Sequence, residues 1–235
     1  MAASGRRLRS TRGIGNAVIA LLAAQVLALL FGAVAVLLEI SLLQRIIDGS
    51  QVTLAEATAS DNRVAASARL WLVLFAATVV LWLIWQHRAH ANLKATGVTG
   101  LEYSPGWAVG WWLIPIANLW KPFQVNRELW KASGGDYDWR SLPTWPLLGW
   151  WWGSYILVGV LGRIAAAARN GAETPSELRS ADFVDVLSTA EVVVSALLAI
   201  LLVRSVIARQ DHLAQAVPQV PTPPPPQPPR PDVSA

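Results

Sequence analysis

An acidic side chain stands inside the last long apolar stretch of the chain. Glu191 lies eight residues into the run 183–203. At 1.5 Å per residue this is about 12 Å along a helix, near the middle of a hydrocarbon core about 30 Å thick. A carboxylate is costly at that depth and normally faces the interior of a helix bundle. Asp185 shares its helix face, and Gln25 in the first apolar run is a candidate partner.

Two roles for Glu191 are open at this point. It is either a site that takes up a proton or cation, or a neutral side chain that hydrogen-bonds between helices. No second acid in the middle of a span is present to decide between them. Near one end of the same helix, we expect Asp185 to meet Arg163.

Three further polar residues, Arg88, Asn92 and Asn118, flank or lie within a short apolar stretch that prolines interrupt. A proline-broken segment at membrane depth has backbone amides and carbonyls that need partners inside the protein. We favour the interpretation that these three side chains pin the segment against the second span. The alternative is that they line a shallow ligand cavity facing the cytoplasm.

The chain lacks the residue sets of common active sites. There is no cysteine, which excludes disulfides, thiolate metal sites and cysteine nucleophiles. His87 and His90 have no further metal ligand nearby, and we interpret them as polar residues at the membrane interface. No phosphate-binding loop, nucleophile elbow or zincin motif occurs. We therefore predict no catalytic residue, metal site or cofactor, and leave an enzymatic activity unassigned.

The elements that carry these residues are those of a membrane protein. Of 235 residues, 54% are hydrophobic and 14% are charged, far from the soluble average. We expect spans at about 17–38, 70–86, 146–162 and 183–203, because each is apolar over roughly the length that crosses a bilayer. Cleavage of the first span as a signal peptide is an open alternative.

A shorter apolar stretch, 107–120, differs from the four spans. Its 14 residues would reach only about 21 Å as a helix. Pro115 breaks it, and Pro105 and Pro122 bound it. We predict a re-entrant or interfacial segment over 105–132, with an amphipathic helix after Pro122. Whether 107–120 crosses the membrane is left open.

Polar extensions are expected at both ends of the membrane domain, 17–203. Residues 1–16 are basic, and the tail 204–235 contains nine of the 15 prolines. Such a tail is typical of a disordered, polyproline-like extension. The spacing P-x-x-P-x-R from Pro225 matches a ligand for an aromatic-lined groove. A simple spacer is the favoured alternative.

Basic residues are divided unevenly between the two sides of the membrane. If 107–120 does not cross, thirteen of the 19 Lys and Arg fall on the side of the N-terminus, the loop 86–144 and the tail. Lys and Arg in short loops collect on the cytoplasmic side. We therefore expect both termini in the cytoplasm.

A run of Trp, Pro and Asn between Trp85 and Ser133 supplies a family resemblance. Its parts are W-x-x-R-x-x-x-N-L from Trp85, YSPGWAVGWW from Tyr103, IPIANLWKP from Ile114 and ELW from Glu128. They resemble the signature of a mostly actinobacterial family of multi-pass membrane proteins catalogued as domain of unknown function 4328. The resemblance implies a fold and a bacterial plasma membrane, but no catalytic or binding residues. The signature residues expected to hold the fold are Trp85, Pro105, Gly106, Trp107, Trp112, Pro115, Trp120, Pro122, Glu128 and Trp130.

Together these patterns predict an all-α integral membrane protein. It has four transmembrane helices, a proline-broken, tryptophan-rich re-entrant or interfacial segment, and a disordered, proline-rich C-terminal tail. We favour a structural or interaction component of the membrane. Its expected partners are the lipid bilayer, other membrane proteins or a second copy of the chain, and a cytoplasmic partner for the tail, but no nucleic acid. The alternative is a transporter or ion-coupled membrane sensor that uses Glu191.

Overall fold

The computed structural model describes residues 10–136 and 138–216, and within them every regular element is helical. This confirms the all-α prediction. The first nine residues and the proline-rich tail from 217 onward, with its P-x-x-P-x-R spacing, lie outside the described residues. The α-helices are α1 (Arg12–Ile47), α2 (Leu54–Ala95), α3 (Pro105–Gly110), α4 (Lys121–Ala132), α5 (Pro146–Asn170) and α6 (Pro175–Ala216).

Four of these helices, α1, α2, α5 and α6, are long and apolar enough to cross a membrane. They agree with the four predicted spans but extend well beyond them. The helix α2 shows why, because Thr53 caps its N-terminus. The Thr53 hydroxyl accepts a hydrogen bond from the Glu56 N–H at 3.2 Å, and the Glu56 carboxylate accepts one from the Thr53 N–H at 2.9 Å. This pair starts the helix in a polar segment, about four turns before its apolar stretch.

The long helices pack in the order α2, α1, α6, α5, with α1 between α2 and α6. Neighbours in this row are antiparallel. At one end Thr11 donates a hydrogen bond to Gln210 at 3.1 Å, and at the other end Arg179 donates to Gln44. These two pairs set the register of α6 against α1 along their whole length. We call the end with Thr11 the near end and the end with Gln44 the far end.

Tryptophan side chains connect helices of the bundle at the near end. The rings of Trp82 on α2 and Trp151 on α5 lie 5.6 Å apart between centroids, so they connect the two outermost helices of the row. By contrast, Leu27 and Phe31 of α1 are 68% and 58% exposed, as expected for side chains that face lipid. The fully buried core residues include Val18, Trp85, Leu148, Leu202, Val203 and Val206.

The proline-broken segment is not a continuous helix. Between α3 and α4 the chain forms two short 3-10 turns, 111–113 and 117–119, on either side of Pro115. A proline cannot donate the backbone hydrogen bond that would continue a helix through this point. The amphipathic helix predicted after Pro122 is present as α4, and Ser133 is the residue that directly follows its end at Ala132. Whether the segment is re-entrant or interfacial stays a prediction.

Candidate functional site

Residues 96–136 and 138–145 form a compact unit at the near end, which we call the cap. Within it Glu128 of α4 is only 5% exposed. Its carboxylate accepts hydrogen bonds from the backbone N–H groups of Glu102, at 2.6 Å, and Tyr103, at 3.1 Å. The carboxylate therefore joins α4 to the loop that precedes α3. Burial raises the pKa of Glu128 above its ordinary value, even though both hydrogen bonds favour the ionised form.

Indole N–H groups fasten the cap to the long helices. Trp112 donates to the Gln86 side-chain oxygen on α2 at 2.7 Å, and Trp130 donates to Ser205 on α6 at 2.9 Å. From α5, Trp152 donates to the Leu119 carbonyl at 3.1 Å. The cap is thus held by three of the four long helices through specific side-chain hydrogen bonds.

The other signature residues divide into those that shape the backbone and those that remain exposed. Pro105 occupies the first turn of α3, where the Ser104 hydroxyl accepts the Trp107 N–H at 3.2 Å. Pro122 is buried in the first turn of α4. The exposed members of the signature are Gly106, Trp107, Pro115 and Trp120.

A buried glutamine at the near end was missed by sequence reasoning. Gln210 of α6 is 6% exposed. Its amide donates to the Ala89 carbonyl at 2.8 Å, and its oxygen accepts from Thr11 at 3.1 Å and from Asn92 at 3.5 Å. It therefore links α6 to α1 and α2. Gln210 lies beyond the apolar run of α6, so hydropathy does not single it out as a buried residue.

The two histidines of α2 differ in their surroundings: His90 is buried within the protein, whereas His87 is exposed. His90 is fully buried, and its Nδ1 donates to the Gln86 carbonyl at 3.1 Å. The signal for burial was its spacing: His90 lies on the same face of α2 as Trp82, Gln86 and Leu93.

Glu191 and its expected partner do not meet. Glu191 is half-buried, and within the described ranges no hydrogen bond or ion pair reaches its carboxylate. Gln25 instead donates to Thr78 of α2 at 2.5 Å. The register of α6 against α1 places Glu191 level with Phe31, about 9 Å along the axis from Gln25.

The remaining predicted binding residues are also dispersed. Asp185 is half-buried, while Arg163 is exposed and does not pair with it. Asn92 donates a hydrogen bond to Gln210 of α6 at 3.5 Å. Asn118 lies in the cap, where its side-chain oxygen has no hydrogen-bond partner among the described residues. The contact that pins the segment to α2 is made by Gln86 and Trp112, and Arg88 takes no part in it.

An ion-pair network at the far end was also missed. Arg169 of α5 donates to Glu39 of α1 at 3.0 Å and pairs with Asp182 of α6. Glu39 is 4% exposed and Asp182 is fully buried. Each acid stands next to a predicted span, directly after 17–38 and directly before 183–203. That placement is typical of an ordinary polar boundary of a span, so hydropathy does not indicate that the two acids share one guanidinium.

The cap also contains an open polar cleft with a volume of about 300 Å³. It lies between α4 and the loops that precede α3 and α5. Its cationic residues are Arg127, Lys131 and Arg140, and its acidic residues are Glu102 and Glu128. A cleft of this size is at the lower end of small-molecule binding sites.

Comparison with known proteins identifies a family and no individual relative. No curated protein and no solved structure matches the chain. The family model described as Domain of unknown function (DUF4328) matches residues 48–208. The match includes α2, the whole cap, α5 and most of α6. The chain therefore belongs to the family Domain of unknown function (DUF4328).

Proposed function

We propose that the protein is an interaction component of a bacterial plasma membrane, with its cap and both termini in the cytoplasm. The observation that carries this proposal is the attachment of the cap. Three indole hydrogen bonds, from Trp112, Trp130 and Trp152, fix it to α2, α5 and α6. A unit held this firmly by specific hydrogen bonds supplies the preformed surface that a binding partner needs.

The basic residues of the cap support the same orientation in the membrane. The cap contains Lys121, Arg127, Lys131 and Arg140, and basic residues in short loops collect on the cytoplasmic side. The orientation can be tested directly because the chain has no cysteine of its own. We expect Glu173→Cys, at the far end, to react with a membrane-impermeant maleimide in intact cells. We expect Lys94→Cys, at the near end, to react only after lysis, and the reverse pattern would refute the orientation.

The partner is tested by photocrosslinking in living cells. A photoreactive residue is placed at exposed Trp107 of the cap, and a matched one at exposed Arg63 near the far end. Each is introduced into the full chain and into a chain that ends at Ala216. We expect one protein to be captured recurrently from Trp107 and not from Arg63. Its loss on truncation would assign the contact to the tail, and self-crosslinks alone would contradict the proposal.

A second candidate function rests on Glu191. Its carboxylate is half-buried in an apolar helix without a partner among the described residues, and an ionisable group at such a position is a candidate for ion coupling. This supports a transporter or ion-coupled membrane sensor. Proton and sodium uptake by proteoliposomes tests it: Glu191→Gln should abolish the uptake, while Glu173→Gln, an exposed far-end control, should not. Equal uptake by all three proteins would exclude this role.

A further inference from the structure

We propose that the cleft in the cap binds a small anion that carries a phosphate group. The cleft is bounded by α4 on one side and by the loops around Tyr103 and Arg140 on the other. This inference does not depend on a protein partner. It concerns a ligand small enough to enter a space of about 300 Å³.

The walls of the cleft are fixed before any ligand arrives. The Glu128 carboxylate holds the backbone of Glu102 and Tyr103. On the opposite wall, Trp139 donates its indole N–H to the Thr99 carbonyl at 3.1 Å. Arg140 donates to the carbonyl of Gly100, whose φ of +74° is readily adopted only by glycine. A site built in this way loses little conformational entropy on binding.

Cationic donors in the cleft remain available to a ligand. Arg127 and Lys131 are four residues apart on α4, so they project from one face of the helix. The Arg127 guanidinium contacts the Phe123 ring at 5.8 Å, and within the described part of the chain it has no hydrogen bond or ion pair. Lys131 makes one long hydrogen bond, 3.4 Å, to the Arg140 carbonyl. Both side chains can therefore turn toward an anion without breaking a strong interaction.

Two neutral side chains complete the donor set. The Tyr103 hydroxyl donates to the Gln124 side-chain oxygen at 2.8 Å, which leaves the Gln124 amide N–H groups for a ligand. Burial raises the pKa of Tyr103 to about 12, so its hydroxyl keeps its proton at neutral pH. Guanidinium, ammonium and amide donors around one space are the groups that bind phosphate oxygens.

The acidic residues restrict which anions fit. The Glu128 carboxylate accepts hydrogen bonds from two backbone N–H groups, and these partial positive charges offset part of its negative charge. Glu102 is exposed at the edge of the cleft. There its carboxylate would repel a second anionic group of the ligand and accept a hydrogen bond from a hydroxyl or amino group. The expected ligand is therefore a phosphate monoester on a small hydroxylated or amino-bearing body. Either a soluble metabolite or a lipid headgroup could supply that chemistry.

The test measures binding to the full-length protein in nanodiscs of phosphatidylcholine at fixed ionic strength. Calorimetric titrations use inorganic phosphate and glycerol 3-phosphate as soluble probes. A second arm adds phosphatidic acid to the nanodiscs and measures by native mass spectrometry how much of it the protein retains. The variants are Arg127→Gln and Lys131→Gln. Lys94→Gln is the control, because Lys94 is an exposed cation at the near end and does not line the cleft.

We expect Arg127→Gln to weaken binding about tenfold or more, and Lys94→Gln to leave it unchanged. Binding of glycerol 3-phosphate with this pattern supports the site and indicates a soluble ligand. Retention of phosphatidic acid alone, with the same pattern, supports the site and indicates a lipid headgroup. The inference is overturned if no probe binds, if both cleft variants bind like the wild type, or if Lys94→Gln weakens binding as much as Arg127→Gln. Thermal unfolding without ligand verifies that each variant is folded.

Discussion

The guanidinium of Arg169 on α5 donates to both carboxylate oxygens of Glu39 on α1, at 3.0 and 3.3 Å. The two helices are not neighbours in the row, because α6 lies between them. Arg169 also pairs with Asp182 of α6. One guanidinium therefore serves two buried carboxylates and joins three helices at the far end.

Removing this guanidinium should destabilise the bundle. Arg169→Met leaves Glu39 and Asp182 buried without a cation, which is costly in a medium that solvates charge poorly. Arg169 is itself 39% exposed, so we expect a loss of about 2 to 4 kcal/mol in the free energy of unfolding, somewhat below the value for a fully buried pair. The measurement is denaturant unfolding in detergent, followed by helical circular dichroism.

Arg163→Met is the matched control for that experiment. Arg163 is on the same helix, is exposed and takes no part in the network, so its replacement should change the free energy of unfolding by no more than about 0.5 kcal/mol. Adding Asp182→Asn to Arg169→Met should restore part of the lost stability, because it removes one uncompensated charge. Equal effects of Arg169→Met and Arg163→Met would show that the network does not stabilise the fold.

The raised pKa of Glu128 predicts a pH dependence of stability. In the unfolded chain this carboxyl titrates near 4.5, and in the folded protein it titrates higher because it is buried. Between these two pKa values the folded state keeps a proton that the unfolded state has lost. The contribution of Glu128 to stability is therefore greatest at low pH and falls as the pH rises from about 4.5 through the folded pKa.

The comparison that isolates this effect is wild type against Glu128→Gln, measured by unfolding at a series of pH values. The stability of the wild type relative to the variant should decrease as the pH rises. Glu173→Gln, an exposed control at the far end, should show no such trend against the wild type. A relative stability that increased with pH would mean that the hydrogen bonds from Glu102 and Tyr103 outweigh burial.

The indole of Trp112 should be required for docking of the cap. Trp112→Phe keeps a ring in place but removes the donor to Gln86, whose side chain is fully buried. An acceptor left unpaired in such a place costs about 1 to 3 kcal/mol. We expect faster proteolysis of the loop between α4 and α5. Trp107→Phe, at a position that is 53% exposed, should leave the cleavage rate unchanged, and equal rates in both variants would argue against a docking role for Trp112.

The four spans and α4 could be predicted because their signals are local. An apolar run of sufficient length specifies a span without reference to the rest of the chain. A proline in the interior of a helix removes a backbone hydrogen bond, so the break at Pro115 is also a local signal. The extension of the helices beyond the spans was harder to predict. In α2 it depends on the reciprocal hydrogen bonds between Thr53 and Glu56, which give a far weaker signal than hydropathy.

The polar contacts could not be predicted because they depend on the register between helices. Gln25 and Glu191 both lie within spans, which makes them candidate partners in the sequence, but the packing of α1 places Gln25 beside Thr78. The burial of His90 likewise follows from tertiary structure, since the end of α2 is covered by the cap. Periodicity identifies the buried face of a helix, but it does not identify the residue that covers it.

Close packing at the near end predicts opposite effects for two neighbouring glycines of α1. A β-carbon added at Gly15 would lie 2.5 Å from Cδ1 of Ile207 and 3.1 Å from Nε1 of Trp85, whereas one added at Gly13 would have no neighbour within 4 Å. Gly15→Ala should therefore lower the free energy of unfolding by about 1 to 3 kcal/mol through overpacking. Gly13→Ala should raise it by up to about 1 kcal/mol, because alanine favours a helix more than glycine does. Denaturant unfolding of the two variants measures both effects. Stabilisation by both substitutions would show that α1, α2 and α6 are less closely packed at Gly15 than the structure indicates.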